Sequence, residues 1–176
     1  MSKNIPYFSI LFPAYNAQDT VARALDSVLV QDFDDWELIA VNDGSTDATL
    51  SILQDYAQRD ERIRVISQEN GGCASARARA QGASLGAYIM KFDADDVMGR
   101  HLLSAMNTCI EEHPDFDFYS CNGYLTSYDA HGNMLAQRPY LSSPRFVHET
   151  SLKLADIMLE PYILGGGSVA SRNLIE

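Results

Sequence analysis

"AYIMKFDADDV", residues 87–97, sets a short run, apolar but for one lysine, directly before three aspartates, Asp93, Asp95 and Asp96. Nearly continuous apolarity over so few residues is too short for an independent helix and reads as a strand covered on both faces, the pattern of a buried parallel sheet. The aspartates then fall in the loop at the strand's carboxyl end. Carboxylates that close repel one another by roughly 4 kcal/mol per pair at 4 Å and an effective dielectric near 20. Water, helix amides or a cation must offset that repulsion.

Outward from this stretch the same grammar repeats. "YFSILF" (7–12), "ELIAVN" (37–42) and "IRVIS" (63–67) are further short apolar runs. Between them lie helical periodicities. Val21, Leu25, Val28 and Leu29 fall on one face, with Asp19 as N-cap, and Leu50, Leu53, Tyr56 and Ala57 fall on another after "DGSTD". "CASARARAQGA" places Ala76, Ala80 and Ala83 on a face small enough for a helix to lie very close to a sheet. Leu102, Met106, Cys109, Ile110 and His113 line a fourth helix that ends before Pro114. Strands alternating with helices in this way predict an α/β fold with a largely parallel sheet.

Beyond Pro114, "FDFYSCNGYLTSYD" alternates enough for a strand or two, and "AHGNML" reads as a hairpin turn. Residues 136–145 read as a loop, "SLKLADIMLE" (151–160) as a short helix, and "PYILGGGSVASRNLIE" (161–176) as a glycine-interrupted strand. No second domain is visible, so residues 1–176 are expected to form one unit.

At 176 residues the chain is long enough for a sizeable core, and 46% hydrophobic with 21% charged residues is ordinary globular composition. A net charge of −11 excludes a general phosphate-backbone binder, so no nucleic-acid partner is expected. Cys73, Cys109 and Cys121 show no CxxC spacing, which argues against a disulfide framework or zinc site and for a reducing compartment. His101, His113 and His148 make no zinc set either. The first apolar run is too short for a signal-peptide core and is interrupted by Pro13. Nowhere do 18 apolar residues run together, so no transmembrane segment is read and any membrane association would be peripheral. The expected location is the cytoplasm or the cytoplasmic face of a membrane.

In a parallel α/β sheet, ligands bind in the crevice at the carboxyl ends of the strands. That rule gathers "FPAYNA", "NDGSTDAT", "QENGGCASAR" and "DADDV" on one edge. Asp43 sits at a strand end before Gly44. It either belongs to a plain strand-turn-helix junction, capped by Ser45, Thr46 or Asp47, or accepts hydrogen bonds from a nucleotide. "NGGCASARAR" feeds a helix N-terminus that favours an anion, with Arg77 one turn in. For "DADDV" two readings stand: Asp95 or Asp96 caps a helix beginning near Gly99 and Arg100, or the acids hold magnesium or manganese, which needs one or two carboxylates plus water and substrate phosphate.

With these motifs in hand, the sequence resembles the family 2 glycosyltransferases with the GT-A nucleotide-sugar-binding fold. The marks are "ILFPAYNA", "WELIAVNDGSTDAT", "QENGGCASARARA", "AYIMKFDADDV" and "GGGSVASR", which run in order from about Phe8 to Arg172. The resemblance implies a Rossmann-like three-layer α/β/α arrangement, with a donor half over about 1–98 and part of an acceptor half over about 99–176. Carried over by position, Pro13, Ala14 and Tyr15 would line the uracil or ribose pocket and Asp43 would contact the uracil edge. Arg77 would sit near the nucleotide and Asp93 would face ribose and diphosphate. Asp95 would be the main metal-contacting carboxylate, with Asp93 beside it and Asp96 in support.

The implied reaction is inverting transfer of a sugar from a nucleoside-diphosphate sugar, UDP by family habit, to a saccharide or lipid-linked acceptor, assisted by manganese or magnesium. Surface polysaccharide synthesis is the expected setting. Two departures stand out. Ala76 to Ala80 read Ala-Arg-Ala-Arg-Ala where family members often have Ala-Arg-Asn-x-Gly. The family's catalytic base is expected beyond Glu176, and Asp156 and Glu160 do not match its context. Trp36 and the tyrosines read as packing residues, with Tyr140 and Tyr162 as candidates to flank an acceptor. A dehydrogenase is disfavoured because no GxGxxG follows the first strand, and a nucleotidyltransferase because no glycine-rich basic loop does. A non-catalytic nucleotide-binding or partner-binding module is the alternative.

Overall fold

The computed structural model describes residues 5–121, 124–128, 134–139 and 168–172. Each predicted strand forms, with shifted ends: β1 Phe8–Ala14, β2 Trp36–Asp43, β3 Ile63–Gln68 and β4 Tyr88–Lys91. Every residue of β1 and β2 is buried, as a near-continuous apolar run requires when helices cover both faces. The helices between them are α1 Val21–Leu29, α2 Thr49–Arg59, α3 Cys73–Ala83 and α4 Leu102–Glu112. Later come β5 Phe118–Ser120, β6 Tyr124–Tyr128, β7 Met134–Pro139 and β8 Ser168–Ser171.

One sheet runs in the order β3-β2-β1-β4-β8-β5, and β6 pairs with β7 in a separate two-stranded sheet. β1 to β4 are mutually parallel, and β8 enters antiparallel between β4 and β5. Strand order reverses beside β1: the chain leaves it toward β2 and β3, then returns to place β4 on its other side. This is the switch point at which loops diverge and a crevice opens.

Three layers result. On one face, Phe8, Ile10, Phe12 and Met90 pack with Val21, Leu25 and Val28 of α1, Leu53 and Tyr56 of α2, and Leu103, Met106 and Ile110 of α4. A fully buried side chain such as Leu25 contributes about 1.5–3 kcal/mol relative to exposure. On the other face, α3 is the helix that, among the described residues, lies on Leu11, Ile39, Val41 and Ile89 through Ala76 and Ala80, both wholly inaccessible to solvent. The small-residue face predicted for this helix is thus what lets it approach the sheet.

Several local expectations are corrected. The N-cap of α1 is Thr20, and no side chain caps that helix. At α2 the cap position is Ala48, but Asp47 accepts from the Thr49 N–H (2.9 Å) and hydroxyl (2.5 Å), so it does the capping from one residue upstream. α4 starts at Leu102, after a turn closed by the Leu102 N–H to the Gly99 carbonyl (2.9 Å), so neither Asp95 nor Asp96 caps it. Its buried face is Leu103, Met106 and Ile110, while His113 is exposed at its end. Residues 136–139 belong to β7 rather than a loop, because they pair with Tyr124–Ser127. Trp36 is packed, as expected, with the Arg62 guanidinium 3.9 Å above its ring. Tyr140, His148, the 151–160 helix, Asp156, Glu160 and Tyr162 lie outside the described residues.

Candidate functional site

The loops after β1, β2, β3 and β4 meet around a cleft of about 470 Å³. Six of the predicted site residues line it: Pro13, Ala14, Tyr15, Asp43, Asp93 and Asp95. Arg77 does not line the cleft but grips one of the residues that does, and Asp96 stands outside it.

The wall contributed by β1 and β2 is stitched by reciprocal bonds. Asn16 adopts a left-handed φ of 46°, a conformation asparagine tolerates. It donates its N–H to Ser45 Oγ (3.1 Å) and accepts the Thr46 N–H at Oδ1 (2.9 Å). The Ala17 N–H donates to Thr49 Oγ1 (2.8 Å), the Gln18 N–H to Asp47 Oδ2 (3.1 Å), and Gln18 Oε1 accepts from the Ala48 N–H (3.2 Å). "DGSTDAT" therefore forms the strand-turn-helix junction, and its first residue, Asp43, lines the cleft.

Asp43 is 2% exposed, yet its carboxylate is well served. Oδ1 accepts from Gln68 Nε2 (2.7 Å) and the Gly71 N–H (2.9 Å), and Oδ2 from the Gly72 N–H (2.8 Å). Burial pushes its pKa up, but the three hydrogen bonds outweigh it and hold the carboxyl below the usual carboxylate range. A carboxylate offers about four acceptor positions, so one remains for a ligand. Gly44 follows with φ 72°, and a Cβ there would sit 2.7 Å from the Asn70 nitrogen. Asp43 and Gly44 thus draw the Asn70–Gly72 loop, and with it the N-terminus of α3, against the end of β2. That helix end carries partial positive charge toward the cleft, which Gly72, Cys73 and the buried Ala76 help to line.

The acidic turn follows β4. Phe92 is buried and its N–H reaches the Leu11 carbonyl (3.1 Å). Asp93 pairs with Arg77 (Nη2 to Oδ1, 2.5 Å), and the Asp96 N–H closes a turn onto the Asp93 carbonyl (3.1 Å). Burial alone would lower the Arg77 pKa, but Asp93 raises it. Arg77 Nε is buried without a partner among the described residues. Partial desolvation, then the like charges of Asp95 and Asp93, push the Asp96 carboxyl up. Ala94 is buried between them, leaving Asp95 and Asp96 exposed on the surface of the turn.

Three hard carboxylates in one turn suit magnesium or manganese chemically, but among the described residues no group of three His, Cys, Asp or Glu forms a self-sufficient cage. The donor set fits a cation that completes its shell with water and phosphate rather than one enclosed by protein.

The sequence alone assigned no site role to Asn16, Gln68, Asn70, Thr20 or Cys73, although all lie in or beside the loops it placed at the site. Gln68 and Asn16 act by orienting other groups, and no residue type advertises that. The departure from Ala-Arg-Asn-x-Gly is accommodated: Ala78 is exposed, and the Cβ of Ala80 fits the α3–sheet contact.

Comparison with known proteins gives a concordant picture. The family model described as glycosyl transferase family 2 matches residues 9–173. The uncharacterized glycosyltransferase EpsJ of Bacillus subtilis is 40% identical over 125 residues, 71% of this chain and 36% of EpsJ. Chondroitin synthase of Escherichia coli is 39% identical over 110 residues, 62% of this chain and 16% of that protein. Among solved structures, Staphylococcus aureus TarS 1–349 in complex with UDP-GlcNAc superposes with a TM-score of 0.75 at 25% identity, covering 96% of this chain and 46% of that one. The chain thus spans roughly a third or less of these two curated relatives.

Proposed function

This chain belongs to glycosyl transferase family 2, and on that premise we propose that it binds a UDP-sugar and passes the sugar, with inversion, to a saccharide or lipid-linked acceptor in polysaccharide synthesis. The observation that carries this reading is the meeting, in one cleft at the β1/β4 switch point, of the loop locked by Asp43 with the carboxylates Asp93 and Asp95. The UDP-GlcNAc complex of TarS supports a nucleotide-sugar donor. Residues 1–98 serve as the donor half and residues 99–176 as part of the acceptor half.

In this reading Pro13, Ala14 and Tyr15 pack against the nucleoside and the free acceptor position of Asp43 meets the base. Ribose and diphosphate lie along Asp93, held in place by Arg77, with the positive end of α3 nearby. Asp95 and Asp93, supported by Asp96, would hold manganese or magnesium, which when bound neutralises charge developing on the departing diphosphate. An acceptor hydroxyl then attacks the anomeric carbon from the face opposite the leaving group, and a carboxylate base takes its proton. No described residue is assigned that role.

The setting we propose is the cytoplasm or its membrane face. The three cysteines are free thiols, as a reducing compartment favours. Among the described residues no helix is long and apolar enough to cross a membrane.

The experiment is calorimetric titration of UDP into the protein with manganese, and again with a chelator, for wild type and Asp95→Ala. Binding strengthened by metal in wild type and not in the variant is expected. Absence of UDP binding under every condition would overturn the reading.

A further inference from the structure

The acidic turn is short, charged against itself and held at both ends. Upstream, Phe92 is fixed by the core and by β1. Downstream, successive residues are met by the last turn of α1 and the residues just after it. Ser27 Oγ accepts the Met98 N–H (2.9 Å), Gln31 Nε2 donates to the Gly99 carbonyl (2.8 Å), and the Asp32 N–H donates to the Arg100 carbonyl (3.3 Å). His101 Nδ1 contacts Asp32 Oδ2 (2.5 Å), and Gln31 Oε1 accepts the Leu103 N–H (3.1 Å). Ser27 and Gln31 are each 7% exposed, and Met98 is 4% exposed in the main core.

The Gln31 amide has a single workable orientation. Its nitrogen donates to two carbonyls, Gly99 and Ser27 (2.8 and 3.0 Å), and its oxygen receives an N–H. A flip would set oxygen against two oxygens and nitrogen against a donor. A buried side chain this fully engaged behaves as a rigid strut.

Residues 93–97, which carry all three aspartates, are therefore a bridge of five residues between two fixed abutments. The carboxylates of Asp95 and Asp96 have no hydrogen-bond or ion-pair partner among the described residues, and only Arg77 ties Asp93 from the side. Mutual repulsion pushes such a bridge open. What keeps Asp95 near Asp93 before any cation arrives is the 93–96 turn with its buried Ala94, and the abutments that set where this turn stands.

We infer that Gln31 and Ser27 are positioning residues for the metal-diphosphate half of the donor site, acting on Asp95 through the main chain of Met98–Gly99. This rests on the reading of Asp93 and Asp95 given above. The nucleoside half is built on separate bonds, those of Asn16, Asp43 and Gln68, so the two halves separate experimentally.

The test is UDP titration of the full chain with manganese and with a chelator, for wild type, Gln31→Met and Ser27→Ala, with melting curves for each. Gln31→Met keeps the side chain's length while removing both ends of the amide. Ser27→Ala removes one hydrogen bond and serves if the first variant fails to fold. The expected result is that the strengthening of UDP binding by manganese falls about tenfold in Gln31→Met, the scale on which groups that orient metal ligands act, and about threefold in Ser27→Ala, with metal-free binding of UDP kept within about twofold. Manganese strengthening equal to wild type in folded variants would overturn the inference alone, whatever their melting temperatures. Wild type that binds UDP equally with and without manganese would instead remove the metal from the functional reading, and this inference with it.

Discussion

Arg77 reaches from α3 to Asp93, sixteen positions away in sequence, and closes an ion pair at 2.5 Å over the end of β4. Both side chains are about a third exposed, 33% and 38%, so the pair contributes at most about 1 kcal/mol to stability. Its effect on binding is expected to be larger, because it sets which way the Asp93 carboxylate faces. Arg77→Ala is expected to leave thermal stability nearly unchanged while weakening UDP binding in the presence of manganese about tenfold. Arg77→Lys restores little, since a lysine cannot reproduce the fixed guanidinium fork. Melting curves and titrations on the same samples check both halves.

Asp43 is the reverse case, a candidate site residue whose loss is expected to destabilise the fold. Asparagine there can accept at one oxygen only and turns its NH2 toward a donor, so one glycine N–H goes unmet. The expected cost is about 2–3 kcal/mol, the scale of hydrogen bonds to a charged group. The pH dependence follows from the lowered pKa. The native state holds its proton less tightly than the unfolded chain, so Asp43 contributes stability above its unfolded value near 4, and that contribution is lost as pH falls through the lower folded value. Urea midpoints of wild type should therefore drop as pH falls below about 4, and those of Asp43→Asn should drop less over the same range. Parallel curves for the two proteins would refute this.

Gly44→Ala combines two faults. A left-handed residue other than glycine costs roughly 1–2 kcal/mol, and the new Cβ would lie 2.7 Å from the main-chain nitrogen of Asn70, which cannot swing aside as a side chain would. A loss of about 2–4 kcal/mol is expected from strain plus displacement of the 70–72 loop. Metal-free UDP binding should fall with it, because the same loop carries the Gly71 and Gly72 amides that orient Asp43. Retained UDP affinity would show that this loop does not shape the nucleoside pocket.

Much of this arrangement is legible from the sequence because apolar period and loop position act locally. The runs ending at Phe12, Asn42, Ser67 and Phe92 announce buried strands, and the alanines of α3 announce close packing. The gathering of Pro13, Asp43 and Asp95 in one cleft follows from strand order alone. Capping was less legible: Asp19 has the right residue type for α1, but Thr20 takes the position, and Asp47 works from outside the helix. Gln31 was silent because its meaning lies in contacts 68 and 72 residues away. Such partners are set by packing of α1 against the segment after β4, which no local pattern encodes.

The crowding of the acidic turn offers a direct electrostatic test. Asp96 is pushed up by partial desolvation and then by Asp95 and Asp93, so its ionised form is disfavoured while those neighbours are charged. Replacing Asp95 by asparagine removes the like charge that acts more strongly on Asp96 and should bring its carboxyl part of the way back toward the ordinary carboxylate range, as read by carbon-detected NMR titration of its side chain. A raised acid pKa means that the native state holds the proton more tightly than the unfolded chain, so the turn loses stability as pH rises from the ordinary aspartate value to the raised one. Magnesium, diamagnetic and so compatible with the same titration, should act in the same direction as the asparagine, since a cation beside the turn favours every ionised carboxylate. An Asp96 titration unmoved by both Asp95→Asn and saturating magnesium with UDP would show that the three aspartates do not act as one electrostatic unit.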